Sequence, residues 1–144
     1  MTALDFVFNH ESVYSSICDD FTEGGFSCAD IISSESNIFY ECKNGGQTFG
    51  ALMFAKIRHT MAEAHCACLP HHRGKDFIDS TVMAINDIFN TTSIISIIAY
   101  CVEFNKASMF FARACGFSRV GVIPDCYIKD NKKNDMVLYQ INKG

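Results

Sequence analysis

The stretch Leu69–Asp76, with the sequence LPHHRGKD, joins an apolar run to an amphipathic one. Proline cannot donate to a β-ladder, so the preceding run Ala62–Leu69 is predicted to be a strand that ends before Pro70. Apolar residues then recur at helical spacing over Lys75–Phe89, which predicts a helix. Gly74 permits close approach of a ligand to the backbone, and the free N–H groups at a helix start attract an anion. The stretch therefore predicts a strand–loop–helix unit suited to binding phosphate.

A second helix is predicted directly after a β-branched run. Ile94–Val102 is continuously apolar, as expected of a central strand that is buried on both faces. Lys106–Ala114 follows as a helix ending at Gly116, the residue type that best tolerates a left-handed C-terminal position. Asn105 precedes this helix in the position of an N-cap, and Ser108 lies three residues further on. The segment is therefore predicted to be a second strand–helix unit.

The rest of the sequence predicts further strands and helices around these two units. Asn44-Gly45-Gly46 separates two apolar-rich runs, and its glycines supply the positive φ angles of a tight hairpin turn. The remaining predicted elements are a strand at Leu4–Phe8, a helix from Asn9 or Ser12 to about Phe21, a short helix from Ser27 to Ile32, hairpin strands at Asn37–Lys43 and Gln47–Ile57, and strands at Phe117–Ile123 and Met136–Ile141 joined by a polar loop containing Lys129–Asn134. The order is a β-meander, then a βαβ unit, then another helix and two strands. It predicts an α/β fold class, a mixed sheet with helices packed on its faces.

The composition indicates a single globular domain over residues 1–144. Of the 144 residues, 49% are hydrophobic and 19% are charged, which is typical of a chain with a packed core. The formal net charge is −4, so the chain has no electrostatic reason to bind nucleic acid. The longest apolar run, Ser93–Val102, is too short to cross a membrane as a helix, and the N-terminus does not resemble a signal peptide. A cytoplasmic protein is therefore expected.

The cysteines do not indicate a metal site or a disulfide scaffold. Eight cysteines are scattered along the chain without a CxxC pair, which argues against a zinc ribbon. Several lie in apolar runs such as Ala64–Leu69, where cysteine behaves as a small hydrophobe. His71 and His72 are adjacent and point apart in an extended chain, so they do not form a shared metal site. Reduced thiols and no bound metal are expected.

Two segments together resemble the GNAT superfamily of N-acetyltransferases. They are the loop Pro70–Asp76 and the segment Asn105–Ser108, NKAS, which is followed by Gly116-Phe117. In that family a Pro-x-x-Arg-Gly-x-Gly-x-Gly/Ala loop binds the coenzyme A pyrophosphate, and an Asn-x-x-Ala/Ser…Gly-Phe helix flanks the pantetheine arm. The resemblance covers roughly the last two thirds of the chain. It implies the GNAT fold, a mostly antiparallel central sheet with one splayed parallel pair.

The resemblance also implies acetyl-CoA as co-substrate and a place for it. Its pantetheine arm would lie between Ala62–Leu69 and Ile94–Cys101, where it pairs with backbone groups much as a missing strand would. Backbone N–H groups near Cys68 and Leu69 would polarise the acetyl carbonyl as it gains negative charge. The residues expected to bind the cofactor are Cys68, Leu69, His72, Arg73, Gly74, Lys75, Asn105, Ser108 and Phe111.

Catalysis in this family requires a base for the amine and an acid for the leaving thiolate. Glu63 lies in an Ala-Glu run similar to that of histone-type GNAT enzymes, which makes it the first candidate base. The alternative is a solvated carboxylate near the strand end. His65 is the second candidate because it lies on the same face of the strand; its alternative is a core or edge histidine. Many family members use a tyrosine where Ala112 stands here, so Tyr100 or Tyr127 is the expected substitute acid.

The loop also departs from the family motif. Asp76 and Ile78 occupy positions where the family has small residues, so they bring a negative charge and bulk to the place of the pyrophosphate. Asp76 is predicted to cap the following helix, because aspartate accepts hydrogen bonds from first-turn amides. If it caps those amides, the N–H groups that would bind the diphosphate are already occupied.

Two functions follow from these observations. The first is an acetyltransferase that moves an acetyl group to a primary amine of a small molecule or protein. The alternative is a catalytically degenerate GNAT-like phage protein that acts in virion or internal core assembly, or in protein binding, and would reside in the virion or host cytoplasm. Exposed strand edges and the phenylalanine content favour a homodimer in either case.

Overall fold

A single six-stranded sheet, with the strand order β1-β2-β3-β4-β6-β5, organises the chain. The computed structural model describes residues 7, 9–11, 13 and 35–144. The elements are β1 (Asn37–Asn44), β2 (Gln47–Arg58), β3 (Met61–Cys68), α1 (Lys75–Thr91), β4 (Ser96–Val102), α2 (Lys106–Ala114), β5 (Ser118–Lys129) and β6 (Lys132–Asn142). The sheet is mixed and flanked by helices, so the predicted fold class is confirmed.

The first three strands form an antiparallel meander, as predicted. β1 pairs with β2 and β2 with β3 in antiparallel registers. Gly45 and Gly46 have φ angles of 58° and 83°, the left-handed conformation that a tight hairpin turn requires. α1 then crosses over to place β4 parallel to β3, which gives the predicted βαβ unit.

Both helices pack on one face of the sheet. In β3 the buried side chains of Ala62 and Cys68 face the main core, which also contains residues of α1 and α2. The Phe77 ring of α1 stacks on the Phe111 ring of α2, with ring centroids 4.8 Å apart and planes at 12°. A second, smaller cluster of Val7, Val13 and Ala67 lies on the opposite face, because side chains of a strand alternate. β3 is therefore buried on both faces at this end.

The C-terminal hairpin differs from the prediction. Lys129–Asn134 was expected to be a polar loop, but the two strands continue into it and only Asp130 and Asn131 form the turn. Their φ angles are 52° and 60°, a left-handed conformation that Asp and Asn tolerate better than other residues with side chains. The ladder has an irregularity between Ile123 and Tyr127, which interrupts the alternation that a sequence pattern detects.

The N-terminal prediction is wrong at one described position. Val7 is helical, although Leu4–Phe8 was predicted to be a strand. Asn9, Glu11 and Val13 are helical, in agreement with the helix predicted to follow. The rest of that helix and the helix predicted from Ser27 to Ile32 lie outside the described residues.

The start of α2 is satisfied by its own side chain. Asn105 is the N-cap residue, and its Oδ1 accepts a hydrogen bond of 3.0 Å from the Ser108 amide. The helix ends as predicted, since Gly116 has a φ of 99°. The Asn105 side chain therefore has a structural task that is independent of any ligand.

We expect Asn105→Ala to lower the free energy of unfolding by about 1 kcal/mol, because one first-turn amide loses its acceptor. Chemical denaturation of the unliganded protein measures this loss. Asn90→Ala, an exposed position near the end of α1, is the matched control and should change stability little. Equal stability of the two variants would contradict the cap.

Gly50 permits β2 to approach the start of α1. A Cβ atom at this position would lie 2.9 Å from Phe77 Cε1 and 3.2 Å from the Ala67 carbonyl oxygen. Both contacts are tighter than packed cores tolerate without rearrangement.

Gly50→Ala is therefore expected to destabilise the protein by about 1–3 kcal/mol through overpacking. Gly121→Ala serves as the control, since a Cβ there meets nothing within 4 Å. Thermal and chemical unfolding should separate the two variants. A Gly50→Ala protein as stable as the control would show that the Phe77 ring moves freely.

Candidate functional site

The parallel strands β3 and β4 part after a short stretch of pairing. Their register contains three pairs, of which the last is Glu63 with Ile98. On its other side β3 stays paired with β2 as far as Cys68, and β4 stays paired with β6 as far as Val102. Residues 64–68 of β3 and residues 99–102 of β4 therefore face each other without pairing as strands. A ligand with amide groups can pair with such an edge as an added strand would.

The loop at the end of β3 opens toward solvent above α1. Pro70–His72 forms one turn of 3-10 helix, and Arg73 follows in an extended conformation. Gly74 has φ 146° and ψ −143°, a conformation that residues with a Cβ rarely adopt. An added Cβ at Gly74 would meet no atom of the described residues within 4 Å, so none of them covers this peptide.

The first turn of α1 is uncapped, and this overturns the prediction for Asp76. Gly74 is the N-cap residue, and in the described part of the chain no side chain accepts a cap hydrogen bond there. Asp76 lies exposed within the first turn, two residues past the N-cap, where it does not reach back as an N-cap side chain does. The N–H groups at this helix start have no intrahelical acceptor, because the first four of any helix lack one. Within the described residues no side chain accepts from them, so this helix start suits an anion.

Positive side chains flank this helix start. Arg73 Nε donates to the Cys68 carbonyl oxygen at 3.1 Å, which fixes the loop against the end of β3. Lys75 Nζ donates to Asp79 Oδ2 at 2.5 Å, and this hydrogen bond raises the pKa of Lys75. Lys75 is therefore protonated at neutral pH.

The bulk of Ile78 does not obstruct the helix start. Ile78 is half-buried and packs against the main core, so its side chain points away from the open amides. Ile78 therefore occupies the position of the family's small residue without blocking the helix start.

Several residues expected to bind the cofactor are packed or hydrogen-bonded within the protein. The His72 ring stacks on the Phe49 ring at a centroid distance of 4.7 Å, and Phe111 stacks on Phe77. Ser108 Oγ donates to Cys101 Sγ at 3.4 Å, in addition to the bond that its amide makes to the cap. We call the gap between β3 and β4, together with the loop before α1, the cradle. These groups hold its walls in position whether or not they also contact a ligand.

The two backbone amides expected to polarise the acetyl carbonyl differ in their surroundings. The Leu69 amide donates to the Phe49 carbonyl oxygen at 2.9 Å, so it is already engaged with β2 and does not fit the predicted role. Backbone groups alternate in direction along a strand, so the Cys68 amide points to the gap between β3 and β4. Burial raises the pKa of the Cys68 thiol to about 12, so it stays protonated at neutral pH and is a poor nucleophile.

Polar side chains cluster on the face of β3 opposite to α1 and α2. Glu63 Oε1 lies 3.5 Å from His65 Nε2, and Glu63 is the less exposed of the two. The register pairs Glu63 with Ile98, so two residues further on His65 is level with Tyr100 across the gap. Tyr100 alternates with the core residues Ile97 and Cys101, which places it on the same face as Glu63 and His65.

The other candidate acid, Tyr127, lies elsewhere. Ala112, which stands where the family has its tyrosine, is buried in the core. Tyr127 is on the edge strand β5, which β6 separates from β4. Tyr100 is thus the tyrosine that the sheet places beside the gap.

Phe49 and Gly50 belong to the cradle but were not singled out from the sequence. Phe49 holds the loop through its carbonyl oxygen and its ring, and Gly50 makes room for Phe77. An isolated glycine inside a strand pattern signals close backbone approach, and that signal was present at Gly50. Nothing in the pattern marks Phe49.

Metal ligands do not converge within the described ranges. Among residues 7, 9–11, 13 and 35–144, no group of three or more His, Cys, Asp or Glu side chains is arranged to hold a metal ion. The helices in this same part of the chain include none that is long and apolar enough to span a bilayer.

Solved structures of acetyltransferases share this architecture. The spermidine N-acetyltransferase of Vibrio cholerae, solved with CoA and spermine, has a TM-score of 0.78 at 18% identity, covering 94% of this chain and 85% of that chain. The microcin self-immunity acetyltransferase MccE, solved with acetyl-CoA and AMP, has a TM-score of 0.68 at 21% identity, covering 76% of this chain and 62% of that chain. At these identities the likeness shows the fold. No curated protein matches the sequence.

A family model matches residues 15–144, and its description is "Protein of unknown function (DUF2824)". The match spans every element described above, from β1 to β6. The structural neighbours are GNAT acetyltransferases. The chain therefore belongs to the DUF2824 family, and its fold is that of the GNAT N-acetyltransferases.

Proposed function

We propose that this protein is an acetyl-CoA-dependent N-acetyltransferase that acts on a primary amine of a small molecule or protein. The observation that carries the proposal is the open cradle, in which the parted edges of β3 and β4 lead to an uncapped helix start at Gly74. A strand-like arm with amides and a diphosphate is a ligand that such a cradle fits.

The residues present suit the parts of acetyl-CoA. The first-turn amides of α1, with Arg73 and Lys75 beside them, would hold the pyrophosphate. The backbone edges of 64–68 and 99–102 would pair with the pantetheine amides, and the Cys68 amide would donate to the acetyl carbonyl oxygen. Acetyl-CoA supplies an acetyl thioester, whose C–S bond breaks as the C–N bond to the amine forms.

The polar side chains beside the gap would move the protons of this transfer. At neutral pH a primary amine is protonated and must lose one proton to attack, and a second leaves the nitrogen as the amide forms. Glu63, with His65 3.5 Å away, would accept a proton from the amine. Tyr100 would donate one to the departing sulfur. The balance is one acetyl group transferred, one thiol formed and one proton released to solvent.

Similar proteins bind these ligands in the same fold. The Vibrio cholerae spermidine N-acetyltransferase was solved with CoA and spermine, and MccE with acetyl-CoA and AMP. A polyamine or another cationic amine also suits a chain whose formal net charge is −4.

The alternative is an assembly protein of the same fold without catalysis. It requires a cradle that is closed by the protein itself, with Asp76 on the first-turn amides and β3 zipped to β4. Within residues 35–144 no side chain caps that helix start, and β3 pairs with β4 at only three positions, so this second function has less support.

Acetyl-CoA should bind the unmodified chain and raise its melting temperature. A ligand present at 100 times its dissociation constant and bound only by the native state contributes about 2.7 kcal/mol. For a domain of this size that corresponds to a rise of roughly 5–10 °C. Calorimetric titration and thermal unfolding measure both quantities.

The matched pair for this experiment is Arg73→Ala and Arg58→Ala. Both remove an exposed arginine, but Arg58 ends β2 at the opposite end of the sheet from the loop. We expect the first variant to weaken acetyl-CoA binding about tenfold and the second to leave it unchanged. Absence of heat and of any thermal shift at millimolar acetyl-CoA would refute the proposed function.

Glu63→Gln should lower turnover about 10²–10⁴-fold near pH 7, where the acceptor amine needs a base. The loss should shrink toward pH 10, because an alkylamine with a pKa of about 10.4 then deprotonates in solution. Release of the CoA thiol, followed with spermine as acceptor, gives the pH profile of each variant. Glu35→Gln, at an exposed turn, is the control. A loss of the same size at every pH would remove Glu63 from the role of base.

A further inference from the structure

A second concave surface lies on the far side of α2 from the cradle. A cavity of about 460 Å³ opens between α2 and the strands β5 and β6, and we call it the α2–hairpin groove. Lys106, Met109 and Arg113 face it, at helical spacing along one side of α2. Phe111 points to the other side of the helix, where it stacks on Phe77. The groove is therefore separate from the proposed acetyl-CoA site.

One end of the α2–hairpin groove is cationic. Arg113 Nη1 donates to the Tyr139 hydroxyl at 3.3 Å, and Arg119 is the register partner of Tyr139 on β5. Two guanidinium groups and a buried phenol thus line the same level of the groove. Paired guanidiniums are well suited to a carboxylate, which they bind through charge-assisted hydrogen bonds.

The other end is anionic overall. The Glu103 amide donates to the Asp135 carbonyl oxygen at 3.0 Å, which places these two acidic residues side by side. Their carboxylates line the groove together with one ammonium, that of Lys106, so the charge at this end is −1. The Asp135 carboxylate is held in place by the Asp125 amide, which donates to Oδ1 at 2.9 Å.

The five charged side chains of the groove do not neutralise one another. The ion pairs within the described residues lie elsewhere, and none joins two of these five groups within 4.0 Å. Between the two ends the lining is apolar, formed by Met109, Val122 and Val137. A concave surface with an apolar floor and a few convergent polar groups is the usual form of a ligand site.

The distance between the two ends sets the length of the ligand. Tyr139 and Asp135 are four residues apart on β6, which corresponds to about 13 Å along a strand. Side chains extend inward from both ends and shorten the span left for a ligand to roughly 10 Å. An extended tripeptide, at about 3.3–3.6 Å per residue, has that length.

We infer that the α2–hairpin groove binds a short linear peptide with free ends. Its carboxylate contacts Arg113 and Arg119, its ammonium contacts Glu103 and Asp135, and its central side chain lies on the apolar floor. The site is independent of the acetyltransferase reaction, so binding at either place is measurable when the other fails.

The probe for this site is the tripeptide Gly-Leu-Gly with free ends, titrated into the full chain by calorimetry and by amide chemical-shift mapping. We expect saturable binding, with shifts at α2, β5 and β6. N-acetylation or C-amidation of the peptide should each weaken binding about tenfold, since each removes one charged end. Acetyl-CoA affinity, measured in parallel, should not change.

Variants at the two ends make the test specific. Arg119→Ala should weaken binding of the free tripeptide about tenfold but leave binding of the C-amidated peptide unaffected. Glu103→Gln should weaken binding of the free tripeptide about tenfold but leave binding of the N-acetylated peptide unaffected. Both positions are on the surface of the groove, and Arg58→Ala is the control that should bind like the unmodified protein. Absence of saturable binding at millimolar peptide overturns the inference. An affinity for the free tripeptide that is unchanged by Glu103→Gln also overturns it, because the groove would then be a site for anions alone.

Discussion

The brevity of the pairing between β3 and β4 is the constraint on which the rest of the structure depends. Each of these strands pairs along its length with its outer neighbour, β2 or β6. The sheet therefore stays continuous on both sides while its middle opens. Backbone N–H and C=O groups need partners when they leave water. The opening therefore places a row of such groups where, within the described residues, β3 and β4 do not satisfy each other, directly before the loop that begins α1.

The two helix starts show how differently one chain treats the same backbone requirement. α2 begins on Asn105, whose side chain accepts from the first turn, so that end is complete within the protein. α1 begins on Gly74, which has no side chain to offer and holds a φ of 146°. A terminus that lacks its own acceptor costs stability unless something else supplies it. The contrast separates a helix end that serves the fold from one that suits a ligand.

Local signals in the sequence were sufficient for much of the fold. The Asn44-Gly45-Gly46 turn and the helix ending before Gly116 follow from residues that determine their own φ angles. The prediction that Asp76 caps α1 was wrong. Its residue type favours an N-cap, but the N-cap residue is the glycine two positions earlier. Sequence does not show which residue of a turn takes the first helical conformation.

Features that depend on distant partners were beyond local reasoning. The Leu69 amide is engaged by Phe49, a contact set by the register of β2 and β3. The length of the C-terminal strands depends on a ladder irregularity that breaks the alternating pattern. The α2–hairpin groove is formed by residues of one helix and two strands, and no segment of the sequence contains enough of them to indicate it.

The stack of Phe77 on Phe111 ties together the two segments that carry the family motif. Because each ring belongs to a different helix, the loop before α1 and the start of α2 keep a fixed spacing. A ligand that spans both segments would therefore meet two walls whose separation is set before it arrives, which lowers the conformational entropy that binding costs.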